Sequence, residues 1–210
     1  MTRPYRPWGH SGDHILFCNV APRPRNAEAT RAAILQAATH RFSRESYDDV
    51  GMRDIAGDVG VDAALISRYF GSKEDLFIAV LNSSGDKSWI TEIDRADFGN
   101  RMAHEAIYKE KDQGKLEHML ILLRSIGSTK AAELVQRNSQ QCFFSPFESW
   151  LGGDDAPIRA RLAAGFMMGM SIGGELSADD LTDDQCAEMH RRMAKILQDI
   201  IDGPKVSLAA

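Results

Sequence analysis

The sequence predicts an all-α protein, and three observations lead there. From residue 27 onward apolar side chains recur at three- and four-residue intervals, the period of a helix with one buried face. No segment sustains the period-two alternation of a half-buried strand. Helix-start signals precede several of the apolar runs: Asp62, Ser72 with Asp75, and Thr182 with Gln185.

With 210 residues, 43% of them hydrophobic, the chain has room for one or two domains and a real core. Charged residues at 26% fit an ordinary globular protein rather than a fibrous or disordered one. The longest markedly apolar stretch, Leu162 to Ile172, is about half of the ~20 residues a membrane span needs. No membrane partner is expected. Cys18, Cys142 and Cys186 are odd in number and lack metal-ligand spacing, which fits a reducing cytoplasm and argues against a disulfide scaffold. The net charge of -5 argues against nucleic acid only if the charges are evenly spread.

The first 25 residues stand apart. Pro4, Pro7, Pro22 and Pro24 lie there with Arg3, Arg6, Arg23 and Arg25 against the single acid Asp13, and no helical or strand period runs through them. A disordered basic tail is expected. The short run His14 to Ala21 also reads as a signal-peptide core, but no clear small-residue cleavage site follows it.

A first helix is expected from Ala27 to Phe42, with Ile34, Ala38 and Phe42 on one face. A second runs from about Met52 to Val59, a third from Ala63 to Phe70 behind the N-cap Asp62, and a fourth from Ser72. Between the second and third, Ala56, Gly60 and Ile66 stand at a notable spacing. Two short helices crossing sharply need a small residue at the contact, a residue tolerant of positive φ in the turn, and an apolar anchor on the second helix. Taken alone, the pattern fits a helix-turn-helix or any small helical corner.

The flanking residues add to it. From Thr30 to Leu81, with Arg53-Asp54-Ile55-Ala56, Gly60-Val61 and Arg68-Tyr69-Phe70-Gly71-Ser72-Lys73-Glu74-Asp75-Leu76-Phe77, the chain resembles the DNA-binding domain of the TetR family of bacterial transcriptional repressors. The resemblance implies a helix-turn-helix domain over 26–87 and a larger helical ligand-binding and dimerisation domain over 88–210. It makes Ala63 to Tyr69 the recognition helix, with Ala63 and Ala64 near the bases and Leu65, Ser67 and Arg68 facing the groove. Tyr69 and Lys73 match phosphate-binding positions, and Arg53 matches a backbone or base contact. Three features depart from the family: Ser46 stands where glycine is common before the aromatic Tyr47, Gly51 where Ser or Thr caps the second helix, and Ser67-Arg68 where Tyr-His is frequent. Operator preference should differ accordingly.

Residues 26–87 hold seven Lys/Arg against ten Asp/Glu, an acidic balance for a DNA-binding module. Glu45, Asp48, Asp49 and Asp58 are expected to lie away from the duplex. Arg23 and Arg25 are candidates for a basic arm entering a minor groove, with a solvated tail as the alternative.

In the second half, helices are expected over 97–110, 115–126 and 130–150, the last kinked or ended by Pro146. By the resemblance they enclose a pocket for a small-molecule effector, apolar or aromatic in character. Met102, Ile107, Leu120, Phe143, Phe144, Phe147 and Trp150 are its candidate lining, core packing being the alternative for each. Pro157 opens a helix to about Gly174, and the Thr182–Gln185 box opens another to Ile201 with a stripe of Met189, Met193, Ile196 and Ile200. Gly165, Gly169 and Gly173, at four-residue spacing, leave a flat groove. In such proteins the last two long helices pair with those of a second copy, so these glycines with Met189 and Met193 are the candidate dimer interface. The competing reading seats a helix of the same protomer in the groove.

An enzyme is not expected. The six histidines are scattered, none in a His-Glu-x2-His pattern, and neither metal nor cofactor is called for. The expected function is a homodimeric, ligand-responsive repressor binding operator DNA in a bacterial cytoplasm. The alternative is a helical homodimeric interaction module that has lost DNA binding, a reading the acidic balance and Gly51 keep open.

Overall fold

Ile34, Ala38 and Phe42 are all buried because they share one face of helix α1 (Pro24–Arg44). The computed structural model describes residues 24–83, 92–109, 112–177 and 181–203, with backbone alone for 24–26. Helix α1 begins three residues before the expected Ala27 and runs two past Phe42. Proline at its start has the φ a first turn needs, and Arg41 and Arg44 complement the dipole of its last turn. Arg25 therefore belongs to the first turn of a helix rather than to a tail; Arg23 and the rest of 1–23 lie outside the described residues.

Helices α2 (Met52–Val59) and α3 (Ala63–Phe70) have the expected bounds. Gly60 between them sits at φ 73° and ψ 34°, the left-handed conformation the tight turn demands. Asp62 Oδ1 accepts from the Ala64 amide at 2.7 Å and caps α3. Helix α4 (Lys73–Ser83) starts with a reciprocal box: the Ser72 amide donates to Asp75 Oδ2 at 2.9 Å, and the Asp75 amide to Ser72 Oγ at 3.1 Å. Ile55, Ile66, Leu76, Phe77, Val80 and Leu81 close on α1 to form the first core.

The expected break between two domains falls within 84–91, outside the described residues. A 3₁₀ turn (Arg95–Asp97) leads into α5 (Phe98–Ile107), followed by α6 (Gln113–Ser125) and α7 (Thr129–Ser139). Asp112 and Ser128 cap α6 and α7 from their side chains. The single helix expected over 130–150 is instead α7, a five-residue π turn (Gln140–Phe144), and α8 (Ser145–Leu151). The Ser145 amide donates to the Gln140 carbonyl, one residue wider than α-helical. Pro146 is the reason: it has no N–H, and its ring would strike the Cys142 carbonyl in a regular helix. Long helices α9 (Ala156–Leu176) and α10 (Asp183–Asp202) complete the order, the latter behind the Thr182–Gln185 box. Among the described residues there is no strand, and no helix is long and apolar enough to cross a membrane.

Two cores result. Ile121, Ala131 and Leu134, from α6 and α7, are buried in the first core together with α1–α4, so the two halves are not packed independently. The second core joins Phe98 and Met102 of α5 to Phe147 and Leu151 of α8, Ala156, Ala160 and Ala163 of α9, and Leu197 and Ile201 of α10. Arg159 is 6% exposed, yet its guanidinium is satisfied: it pairs with Asp155 and donates to the Gly152 and Ile201 carbonyls. Arg95 donates to the Leu151 and Ile201 carbonyls as well, so two arginines tie the ends of α8 and α10 together.

Within the protomer α10 buries Met193, Leu197 and Ile201, which share only Met193 with the stripe Met189–Met193–Ile196–Ile200. Ile196 is 44% exposed. The partner that selects the face is α5, and the close approach depends on Gly99. A Cβ there would overlap the Ala194 carbonyl oxygen and lie 2.9 Å from the Gln198 amide nitrogen. By contrast, a Cβ on Gly165, Gly169 or Gly173 would meet nothing within 4 Å. Among the described residues no other helix of the protomer is seated against these glycines.

Candidate nucleic-acid interface

Helix α3 has two faces. Ile66 is fully buried, while Ala64, Ser67 and Arg68, at spacings of three and four, are exposed together on the opposite side. Ala63 and Tyr69 are half-buried and pack against the first core, so the aromatic ring of Tyr69 serves the core as well as the surface. Leu65 is half-buried and Arg53, on α2, is exposed.

Lys73, the first residue of α4, is half-buried. Its ammonium lies 4.3 Å from the centroid of the Tyr47 ring. Tyr47 is stacked with Phe42 at 5.9 Å and edge-on to Phe77 at 4.9 Å. Burial, then the charges of Glu74 and Asp48, push its phenol up to about 12. The sequence reading missed this contact, and it missed Arg31, whose guanidinium carbon lies 4.7 Å from the centroid of the Phe70 ring at the end of α3. The first contact joins the α1–α2 turn to α4, and the second joins α1 to α3.

The acidic surplus is largely absorbed by the fold. Asp62 and Asp75 cap α3 and α4, and Asp54 Oδ2 accepts from the Gly51 amide at 2.9 Å. That bond gives α2 half of a capping box although Gly51 has no side chain to return it. Asp58 and Glu45 both pair with Arg41, and Glu74 lies 3.7 Å from Lys130. The hydrogen bond from Arg41 holds the Asp58 carboxyl below its ordinary value, and bonds from the amide and hydroxyl of Ser72 do the same for Asp75. Asp48 and Asp49 stay exposed in the α1–α2 turn. Arg53 and Arg68 are exposed on α2 and α3, with half-buried Lys73 at the start of α4, and Arg31 and Arg44 of α1 are exposed as well.

The candidate pocket residues do not all meet. Phe147 is fully buried and Met102 nearly so, with Phe143, Phe144 and Trp150 packed around them in the second core. The Phe147 and Trp150 rings stack at 5.8 Å. Ile107 and Leu120 are half-buried and belong to neither core. Of the candidate interface residues, Gly165, Gly169 and Gly173 are exposed, Met189 is half-buried and Met193 is buried within its own protomer. Among the described residues no group of three His, Cys, Asp or Glu side chains is arranged to hold a metal.

Comparison with known proteins agrees with this arrangement. Residues 34–80 match the model of bacterial regulatory proteins of the tetR family, and residues 96–201 match the tetracyclin repressor-like C-terminal domain. An HTH-type transcriptional repressor of Mycobacterium tuberculosis is 42% identical over 64 residues, and the regulator HbdR of Aromatoleum sp. is 34% identical over 65. These matches span 30% and 31% of this chain and only 34% and 28% of the relatives' own length. The fold is shared over a longer range. The crystal structure of NalD, the secondary repressor of the MexAB-OprM multidrug efflux pump in Pseudomonas aeruginosa, superposes with a TM-score of 0.62 at 20% identity, covering 81% of this chain and 97% of that one. GusR of Salmonella enterica gives 0.61 at 14% identity, over 81% and 96% of the two chains. TetR-family regulators are non-enzymatic DNA-binding proteins. With matches over both its helix-turn-helix and most of its second half, this chain belongs to the TetR family of bacterial regulatory proteins.

Proposed function

We propose that the protein is a homodimeric transcriptional repressor that seats α3 in the major groove of a near-palindromic operator and is released by a small-molecule effector. The observation that carries this reading is the exposed face of α3. Ala64, Ser67 and Arg68 stand clear of the core at the spacing a groove-reading helix needs, and Arg53 is exposed on the helix before it. Arg68 grips a base edge, Ala64 allows close backbone approach, and Lys73 and Tyr69 meet phosphates. The second copy docks on α9 and α10. Exposed Ile158, Leu162, Met168 and Ile196 lie on these helices beside the open glycine groove, an apolar surface that a monomer would leave in water.

The effector is apolar or aromatic and binds among α5–α8, near Phe143, Phe144 and Trp150. It works by preferring a state in which the two recognition helices no longer stand one DNA turn, about 34 Å, apart. A coupling of ~1–3 kcal/mol suffices for a 5–150-fold loss of affinity. The protein acts in the bacterial cytoplasm, on DNA. A gel shift of the purified full chain against the DNA flanking its own gene tests the reading; a retarded complex that competitor of unrelated sequence does not remove is the expected result, and no complex would leave only an interaction module.

A further inference from the structure

The contact between Lys73 and Tyr47 joins an exposed function to a buried frame. Tyr47 is 7% exposed and lies in the turn between α1 and α2. Its ring plane is fixed by Phe42 on one side and Phe77 on another. Lys73 reaches this ring from the first turn of α4, and among the described residues it pairs with no carboxylate; its neighbour Glu74 is engaged by Lys130 instead.

We propose that Tyr47 is a positioning residue for DNA binding: its ring face holds the Lys73 ammonium at the start of α4, in the place where a phosphate of the duplex arrives. The inference rests on the reading that Lys73 contacts a phosphate. Three physical points support it. A free lysine head wanders on four rotatable bonds, and a fixed ring removes part of the entropy lost on binding. A carboxylate would hold the ammonium too, but it would neutralise the charge and compete with the phosphate, whereas a ring face carries no net charge. The ammonium presents one side to the ring and keeps N–H donors on the other side for a phosphate oxygen. The high pKa of the phenol keeps the ring neutral at every working pH.

Phosphate contacts act on any sequence, so the test needs no operator. The probe is a mixed-sequence duplex titrated with full-length protein at several salt concentrations. Position 47 is varied without opening a cavity by comparing Tyr47→Phe with pentafluorophenylalanine at the same site, a ring of similar shape whose face repels cations. Each variant is also made together with Lys73→Met, and thermal melting checks that all are folded. Tyr47→Phe should bind as the parent does. The fluorinated ring should weaken binding by about two- to fivefold per monomer, the scale of an exposed cation–π contact, and this loss should vanish in the Lys73→Met background. Equal binding by the two rings overturns the proposal. A loss of the same size with and without Lys73 also overturns it, since the effect would then belong to the core. If Lys73→Met alone changes neither affinity nor salt slope, the phosphate reading fails and the proposal falls with it; if only the ring exchange is silent, the phosphate reading survives.

Discussion

Arg124 Nε donates to the Ser43 carbonyl at 2.8 Å, joining α6 to the last turn of α1. The Ser43 residue is buried, and this carbonyl sits where a helix leaves its acceptors unsatisfied. A cation there also meets the negative end of the helix dipole. Together with Ile121, Ala131 and Leu134 in the first core, the bond means that a shift of α6 or α7 reaches the frame of the helix-turn-helix. Arg124→Ala should therefore lower stability by about 1 kcal/mol. Urea denaturation followed by helical circular dichroism measures it; an unchanged midpoint would show that the contact carries no weight.

Arg68 and Lys73 should fail in different ways. Arg68→Ala should change base preference, because a groove-facing arginine is worth ~1–3 kcal/mol of discrimination at one base pair. Lys73→Ala should weaken all sequences alike and flatten the salt slope by roughly one unit per lost contact. Affinities measured on a set of single-base operator variants separate the two patterns. A uniform loss for Arg68→Ala would remove it from the reading face.

Two glycines invite opposite substitutions. Gly99→Ala drives a methyl into the Ala194 carbonyl, which is backbone and cannot rotate away. A cost of about 1–3 kcal/mol, seen as a lower melting temperature, is expected. Gly169→Leu meets open space within the protomer but closes the groove proposed for the second copy. It should give a folded helical monomer by sedimentation, with operator affinity collapsed. A stable dimer after Gly169→Leu would move the interface off the α9 groove.

The pH dependence has two limbs of opposite sign. Tyr47, raised to about 12 in the folded chain from the ordinary 10.0, contributes stability that is complete below the lower value. It is lost as pH rises through the higher one, because the unfolded chain gives up its proton first. Asp58 and Asp75 are held below their ordinary value of 3.8, so their contribution is present above it and is lost on acidification. Phenolate absorbance of the parent minus that of Tyr47→Phe should titrate near pH 12. A midpoint close to 10 would mean that the ring is not buried in solution.

What could be read from sequence was local. The bounds of α2 and α3, the left-handed Gly60, the Asp62 cap and both boxes each depend on residues within four positions of one another. Which side of α10 faces the protomer's own core was not legible, because Met189, Met193, Ile196, Leu197, Ile200 and Ile201 offer two apolar stripes, and only α5 decides between them. Gly99 has no regular spacing like that of the α9 glycines to mark it, yet two helices of the protomer close against it. Lys73–Tyr47 and Arg124–Ser43 span 26 and 81 positions and left no trace in any local pattern. The net acidity of residues 26–87 conceals that Asp54, Asp62 and Asp75 cap helices and Glu45, Asp58 and Glu74 pair with cations, partnerships no local charge count reveals.

On the proposed reading, the exposed face of α3 reads DNA as one half of a symmetric pair. Sequencing the genomic fragments retained by the purified full-length protein tests it most directly. Enrichment of an inverted repeat whose half-sites lie about one helical turn apart is expected, abolished together with dimerisation by Gly169→Leu. Retained fragments with no common sequence, or no retention above a Lys73→Ala, Arg68→Ala double variant, would contradict it.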